Sequence, residues 1–365
     1  MLNEFAKKEA PIQGLAGLGG GVPSRLLTLA SGEITYVDDV FSTFLYDGTG
    51  SAQTITNGID LDGEGGAVWF KNRSNTNGHR IVDTERGATE SLEPHDTNAE
   101  ATESDGLTAF TSTGFSIGTR THFNGSGNEL CSWTFRKCPG FFDIVTYTGT
   151  GSARTISHNL GSVPGAIFIK QTNSTRDWCV YHRGVDATNP SHYKLHLNKT
   201  DARADEANIF NDTEPTSTVF TVGSDGEVNG NGDTYVAYLF AHNDGSFGES
   251  SDEAVIKCGT YAGSGGAQTI SLGFEPQWIL IKNRGATYNW IILDMMRVWT
   301  EEECIALVAN NNDADSDIQS LIDSRPDPNG FTMSSNYDFI NKSGNDYIYI
   351  AIRRPHKPPE AGTDV

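Results

Sequence analysis

The sequence has little of what disulfide-rich, membrane-spanning or helical proteins require. Its five cysteines are odd in number and include no Cys-x-x-Cys pair, so neither a disulfide framework nor a zinc site is indicated. No apolar stretch has the length of a secretory signal or a membrane span. Runs with helical apolar spacing are almost absent. We expect a protein folded in a cytosol, with reduced and mostly buried cysteines and no membrane insertion.

Positive charge is also scarce. The chain has 26 lysines and arginines against 47 aspartates and glutamates, which gives a formal net charge of -21. An acidic surface opposes the counterion release that holds proteins on DNA or RNA. We therefore expect no nucleic-acid partner, and the charge by itself indicates neither a substrate nor a membrane.

Glycine is plentiful, with 40 residues, and it lies with 13 prolines among short aromatic and β-branched runs. This composition is typical of all-β proteins. A chain of 365 residues is long enough for two or three domains, each with a core of its own.

One glycine-rich motif occurs three times and organises the rest of the chain. It reads GTGSAQTI at 48–55, GTGSARTI at 149–156 and GSGGAQTI at 263–270. Strand-like residues precede and follow it each time, which predicts a β-hairpin. Each hairpin is followed by an apolar run ending in Lys71, Lys170 or Lys282, and later by an Asn/Gly loop and an aromatic strand. We expect these lysines to reach water at the ends of central strands.

The recurrences predict an all-β fold of three tandem antiparallel β-sandwich domains after an extended N-terminal arm, with a short helix in the third domain. The arm covers residues 1–40, copy 1 covers 41–140, copy 2 covers 141–250, copy 3 covers 251–356 and a C-terminal tail covers 357–365. Linkers are expected near 137–140 and across the acidic stretch 244–252.

The copies differ most in three long polar segments, at 86–108, 184–216 and 299–328. Segments of this length are either divergent decoration or a contact surface. In copy 3 the segment begins with Thr300 and three glutamates ahead of an apolar run at 304–308. This capping-box pattern predicts the short helix.

The arm is glycine-rich, is unlike the copies and cannot build a core alone. We expect it to be held by another subunit or by a different protein. The predicted assembly anchors are Phe5, Ile12, Leu15, Leu18 and Val22.

Aromatic and arginine side chains in copies 2 and 3 raise the hypothesis of a carbohydrate site, since aromatic rings stack on sugars and arginine binds hydroxyl groups. The candidate ligand contacts are Trp299, Tyr288, Arg297 and Arg183. Trp178 and Trp290 lie in strand-like runs that are more typical of a β core. Trp299 lies beside a polar segment and is expected to be freer.

Signals for metal binding and catalysis are weak. Acidic residues at 60–64, and at 313–317 with Asp323, could ligate calcium, but neither group matches the twelve-position calcium loop. The sequence has no nucleophile elbow, no His-Glu-x-x-His and no phosphate-binding loop. Paired glycosidase carboxylates stay open, because their spacing is three-dimensional. We expect no enzyme, no bound metal and no cofactor.

Longer motifs extend over most of the chain. They are FLYDGTG at 44–50, VWFKNR at 68–73, SWTFRK at 132–137, NLGSVPG at 159–165, VYHRG at 180–184 and LGFEPQW at 272–278. Together they resemble an uncharacterised domain family of marine bacteriophage virion proteins, often labelled tail-fibre-like. The resemblance runs from Phe41 to Pro355, leaves the arm outside and carries no catalytic or receptor residue.

The resemblance implies a virion protein, a tail fibre or fibre-like component assembled in the host cytoplasm. Its arm would dock on tail or baseplate proteins. Its β-domains would contact a host surface glycan or receptor, and a homo-oligomer, with a trimer favoured, would multiply weak contacts. Two alternatives stay open: a capsid-decorating or tail-sheathing subunit without a receptor role, and a surface-polysaccharide depolymerase.

Overall fold

Alternating apolar residues and turn-forming glycines fold the chain into short β-strands. The computed structural model describes residues 34–317 and 323–358. Copy 1 contains β1 (Phe41–Asp47), β2 (Gln53–Thr56), β3 (Gly66–Asn72), β4 (Arg80–Asp83), β5 (Glu90–Leu92), β6 (Ala101–Thr102), β7 (Leu107–Thr111), β8 (Gly114–Ile117) and β9 (Glu129–Arg136). Copy 2 contains β10 (Phe142–Thr148), β11 (Arg154–Ser157), β12 (Ala166–Gln171), β13 (Cys179–His182), β14 (Tyr193–His196), β15 (Ala204–Asp205), β16 (Val219–Val222) and β17 (Thr234–Phe240). Copy 3 contains β18 (Ile256–Ala262), β19 (Gln268–Ser271), β20 (Pro276–Asn283), β21 (Trp290–Asp294), β22 (Ile305–Val308), β23 (Ser316–Asp317), β24 (Ser324–Asp327), β25 (Gly330–Met333) and β26 (Asp346–Arg353).

Helical structure in the described residues is limited to short turns. They are α1 (Thr121–Asn124), α2 (Ala207–Phe210), α3 (Gly226–Asn229) and 3-10 turns at Val37–Asp39, Pro190–His192 and Met295–Arg297. The predicted all-β class is confirmed. In this part of the chain no helix has the length and apolarity needed to cross a membrane.

Each copy forms the same six-stranded antiparallel sheet. The strand orders are β1-β9-β3-β4-β5-β6, β10-β17-β12-β13-β14-β15 and β18-β26-β20-β21-β22-β23. Each copy also has a smaller sheet that contains the strand after the glycine-rich motif: β2-β8-β7, β11-β16 and β19-β25-β24. The strand before the motif belongs to the large sheet, so the predicted β-hairpin is wrong: β1 pairs with β9 and β2 pairs with β8, and the motif connects two sheets. The sequence repeat is therefore a repeat of architecture.

Both faces of each large sheet are buried. On β3, Ala67 and Trp69 belong to one apolar cluster, whereas Val68 and Phe70 belong to another that includes residues of the small sheet of copy 1. The same alternation divides β21 of copy 3. Because side chains of a strand alternate between its two faces, one face of each large sheet packs on the small sheet of the same copy and the other face points away from that small sheet.

The remaining faces of the three large sheets meet in one shared core. The ring of Phe135 in copy 1 lies 5.8 Å from that of Phe240 in copy 2 and 6.0 Å from that of Trp278 in copy 3. Copies 1 and 3 also have an apolar cluster of their own, as expected, but the shared core joins all three copies, and the described chain from Thr35 onwards forms one compact unit. The boundary predicted at residue 40 falls inside this unit, because Val37 is fully buried in the shared core.

The helix predicted at 304–308 is also wrong. Ile305–Val308 form β22, which pairs with β21. Thr300 Oγ1 does accept hydrogen bonds from the backbone N–H groups of Glu302 and Glu303, at 3.3 and 3.1 Å. These bonds close a turn whose ends pair through Trp299 and Cys304. Strand pairing with β21 therefore overrides the local capping signal.

A buried asparagine explains why the glycine-rich motif recurs. In copy 1, Asn124 Oδ1 accepts the N–H of Thr49 at 2.8 Å and Asn124 Nδ2 donates to the carbonyl of Ser51 at 2.6 Å. Asn229 and Asn341 make the equivalent bonds in the other copies, to Thr150 and Ser152 and to Ser264 and Gly266. The motif is a structural element of each copy.

The five cysteines, all within the described residues, form no disulfide, and four of them are buried, as expected. Burial raises the pKa of Cys131 to about 12. A thiol held in its protonated form is a poor nucleophile.

Candidate functional site

Two of the four predicted ligand contacts lie inside the protein. Trp299 is 1 % exposed, its ring lies 6.2 Å from that of Phe331, and its Nε1 donates to Ser324 Oγ at 3.2 Å. Arg297 is 0 % exposed and is paired with Asp294. Neither side chain is available to a ligand at the surface, so the expectation that Trp299 is free is wrong. The nearby polar segment does not leave it open, because the turn at Thr300 folds that segment back over the sheet.

The other two predicted contacts are accessible to different degrees. Arg183 is exposed, whereas Tyr288 is half-buried and its hydroxyl bonds to Asp338. Trp178 and Trp290 belong to the shared core, as predicted. The predicted anchors Phe5, Ile12, Leu15, Leu18 and Val22 lie outside the described residues.

The acidic clusters have partners within the protein. Asp60 Oδ1 accepts the N–H of Gly63 at 2.8 Å and closes a turn. Asp315 accepts from Arg73 at 2.6 Å and from Arg297 at 3.0 Å. These contacts give both carboxylates a structural role.

The copies contact one another through one recurring position. His79, Trp178 and Trp290 occupy equivalent places just before or at the start of the fourth strand of each copy. Trp178 Nε1 donates to the carbonyl of Glu93 in copy 1 and Trp290 Nε1 to the carbonyl of His196 in copy 2, both at 2.9 Å. His79 Nε2 bonds to the carbonyl of Val308 in copy 3 at 3.1 Å. The contacts therefore run from copy 2 to 1, from 3 to 2 and from 1 to 3, which closes a ring.

A backbone bond recurs between the same pairs of copies, with the donor and acceptor copies exchanged. The N–H groups of Glu100, Arg203 and Asp315 donate to the carbonyls of Thr172, Arg284 and Arg73, at 2.8, 2.9 and 2.9 Å. Each donor lies in a long polar segment or close to one, and each acceptor lies just after the lysine-ended strand of another copy. The polar segments are thus contact surfaces within the molecule, at interface 1/2 (copies 1 and 2), interface 2/3 and interface 3/1.

Buried aspartate–arginine pairs reinforce two of these interfaces. At interface 1/2, Asp83 Oδ2 accepts from Arg86 at 2.6 Å and from the hydroxyl of Tyr238 in copy 2 at 2.7 Å. At interface 3/1, Asp294 Oδ2 accepts from Arg297 at 2.7 Å and from Trp133 Nε1 in copy 1 at 3.0 Å. Each aspartate is fully buried and joins two copies through charge-assisted hydrogen bonds.

Interface 2/3 differs at the same position. His182 replaces the aspartate, and Val185 stands where the arginine stands in the other copies. His182 is 1 % exposed, and its Nε2 lies 3.0 Å from the carbonyl of Tyr349 in copy 3. A neutral histidine thus takes the place of the ion pair at this interface.

The lysines at the strand ends do not reach water, so that expectation is wrong. Lys71, Lys170 and Lys282 are all 0 % exposed, and main-chain carbonyls surround their ammonium groups. Lys282 Nζ donates to the carbonyls of Asn283 at 2.7 Å and of Thr200 in copy 2 at 3.1 Å. Burial lowers the pKa of Lys71 and Lys170 to about 8 and that of Lys282 to about 7. Lys71 and Lys282 bind loops of their own copy and of another copy, and Lys170 binds a loop of its own copy.

One group on copy 2 has the composition of a metal site. Ligand atoms of Asp177, His196 and Glu227 lie within 4.8 Å of one another. Lys194 Nζ lies 2.7 Å from Glu227, and Lys199 Nζ lies 2.6 Å from Asp177. Burial opposes ionisation of Glu227, but hydrogen bonds from His196 and Lys194 outweigh it and lower its pKa to about 2. Each carboxylate already has a cationic partner, so the group is neutralised without an ion.

A groove of about 450 Å³ lies at interface 3/1. It is lined on one side by Phe41 and Thr43 and on the other by Met295 and Met296, which are 37 % and 54 % exposed. Exposed thioether side chains adapt to varied apolar surfaces. The groove is a concave surface of mixed character with no paired acid and base among its lining residues.

Sequence reasoning missed the interface residues, although a signal was present. His79, Trp178 and Trp290 each lie eight residues after the recurring lysine, and Asp83, His182 and Asp294 lie twelve residues after it. Aligning the copies on the lysine brings out both positions. The residue types differ among copies, which hides them from a search for identical letters.

Comparison with protein families gives a match over residues 37–355, to a domain of unknown function, DUF7483. The chain belongs to this family. The DUF7483 match begins at the first fully buried residue of the shared core and ends at Pro355, two residues after β26. The family is therefore defined over the whole three-copy unit and not over one copy. Comparison with the curated proteins gives no match.

Proposed function

We propose that this DUF7483 protein is a structural and host-binding component of a bacteriophage particle, a tail fibre or fibre-like part without catalytic activity. The observation that carries the proposal is what the recurring residues bind. The asparagines that bind the glycine-rich motif, the buried lysines and the ring nitrogens that connect the copies all bind backbone atoms of the protein itself. Repetition that preserves folding contacts suits a rigid part of an assembly.

The resemblance of the sequence motifs to marine phage virion proteins is the reason for proposing that the protein belongs to a phage particle. The arm would dock on tail or baseplate proteins, and the three-copy unit would face a host glycan or receptor. The proposed assembly is a homotrimer in the virion. Many identical units in one particle would multiply weak individual contacts.

A second candidate is a capsid-decorating or tail-sheathing subunit. One observation favours it: parts of the polar segments that could have formed a receptor surface lie between the copies, with Glu93, His196 and Val308 as backbone acceptors. Gold-labelled antibodies against the purified protein would separate the two candidates. Label at the tail or fibre tips supports the fibre, and label over the capsid or tail tube supports decoration.

Adsorption of the phage provides the functional test. Purified protein added to host cells is expected to slow adsorption in proportion to its concentration, because it occupies the receptor. Arg183→Ala, at an exposed predicted contact, is expected to weaken the competition about tenfold. Arg325→Ala, whose parent side chain is 42 % exposed, serves as the surface-arginine control and should compete like the unmodified protein.

Two results would contradict the proposal. If the phage adsorbs at its normal rate in the presence of saturating purified protein, the proposed receptor binding is contradicted. If the protein releases fragments from purified host surface polysaccharide, it is a depolymerase and not a non-catalytic structural part.

A further inference from the structure

We propose that interface 2/3 is acid-sensitive: protonation of His182 releases the copy 3 sheet from copy 2, while interface 1/2 remains closed. This acid sensitivity follows from His182, the residue that replaces the aspartate–arginine pair.

The geometry fixes the protonation state of His182. Its Nδ1 accepts the N–H of Gly184 at 3.0 Å. Its Nε2 faces the carbonyl of Tyr349 at 3.0 Å, and a carbonyl only accepts, so Nε2 carries the proton. The ring is therefore neutral and both nitrogens are engaged. A second proton on Nδ1 would point at the Gly184 N–H and break that bond.

Burial is the largest influence on His182 and disfavours its protonation. Three basic neighbours act in the same direction, His242 and Arg183 from copy 2 and Arg284 from copy 3. Together they lower the pKa of His182 to about 3, although the hydrogen bond to the Tyr349 carbonyl favours the protonated form.

The sign of the effect follows from linkage. An exposed histidine gains its proton near pH 6.5, whereas His182 in the closed interface stays neutral until the pH is far lower. The open state therefore binds one more proton across this window, and the closed state loses stability as the pH falls below about 6.5. At pH 4.5 the open-to-closed ratio rises about 100-fold for one such histidine.

At interface 1/2 the corresponding position holds the pair of Asp83 and Arg86 instead of a histidine, and arginine stays charged at all these pH values. His79 at interface 3/1 has the same neutral arrangement, with Trp69 Nε1 donating to its Nδ1 at 2.9 Å. By the same linkage, interface 3/1 is also expected to lose stability as the pH falls, although the bond between Arg73 and Asp315 holds it as well.

Hydrogen exchange on the full chain at pH 7.5 and 4.5, corrected for intrinsic exchange rates, tests the proposal. The amides of Gly184 and Arg203 at interface 2/3 are expected to lose about 100-fold in protection at the lower pH. The amides of Glu100 and Arg176, which bond across interface 1/2, should change by less than about tenfold.

A variant links the effect to His182. His182→Gln keeps an N–H donor toward Tyr349 without a titrating ring, and it should reduce the pH-dependent loss at interface 2/3 at least tenfold. His182→Asn keeps an acceptor for Gly184 and is the second variant if the first does not fold. His192→Gln, at a histidine whose side chain is 37 % exposed, is the control and should behave like the unmodified protein. An equal loss of amide protection at interfaces 2/3 and 1/2, or the same loss with and without His182, would overturn the proposal.

Discussion

Replacing Arg297 by methionine is expected to lower the free energy of unfolding by about 3–5 kcal/mol. Arg297 and Asp294 are both fully buried, and Trp133 Nε1 would be the remaining charge-stabilising donor to Asp294 Oδ2. A carboxylate left without its cation keeps the cost of desolvation and loses the attraction that offset it. Urea unfolding followed by tryptophan fluorescence measures the loss, because five of the six tryptophans are among the largest fully buried side chains.

Two comparisons separate the ion pair from simple loss of volume. Arg183→Met removes an exposed arginine and should change stability by less than about 0.5 kcal/mol. Removing both partners, in Asp294→Leu with Arg297→Met, should recover most of the loss, since no unpaired charge remains. A single variant as stable as the unmodified protein would show that interface 3/1 does not depend on this pair.

Ending the chain at residue 250 is expected to abolish cooperative folding of copies 1 and 2. Copy 3 covers part of the shared core: Trp278 lies 6.2 Å from Phe41 and 6.0 Å from Phe135, ring centre to ring centre. Its removal would expose apolar surface to water, which costs about 25 cal/mol of stability per Å² exposed. It would also leave Trp133 Nε1 and His79 without their copy 3 partners. Circular dichroism and the sharpness of urea unfolding measure the result.

Adding residues 251–365 as a separate chain provides the control for the shortened protein. If the missing surface is the cause, the two fragments should associate and regain a cooperative transition. A shortened chain that folds cooperatively by itself would instead restore the idea of independent domains.

The architecture of each copy could be predicted from the sequence, because its signals are local. The glycine-rich motif at 48–55 and its two repeats mark turns between strands, and period-two alternation along β26 marks a strand. The core roles of Trp178 and Trp290 follow from the same alternation. These features depend on neighbours two to ten residues away.

The arrangement of the copies could not be predicted, because it depends on what each face meets. Lys282 ends an apolar strand, and nothing local shows whether water or the carbonyl of Thr200 in another copy receives its ammonium group. The run at 304–308 carries a helix-start signal, yet the free edge of β21 takes it as a strand. Trp299 adjoins a polar segment that folds back over it. In each case a contact distant in sequence overrides a local preference.

The central claim is that three copies fold as one ring with a shared core, and differential scanning calorimetry of the full chain tests it directly. We expect one endothermic transition whose calorimetric enthalpy equals the van't Hoff enthalpy, and Arg297→Met should shift that whole transition to lower temperature. Separate transitions, or a shift confined to a part of the trace that corresponds to copy 3, would contradict the claim.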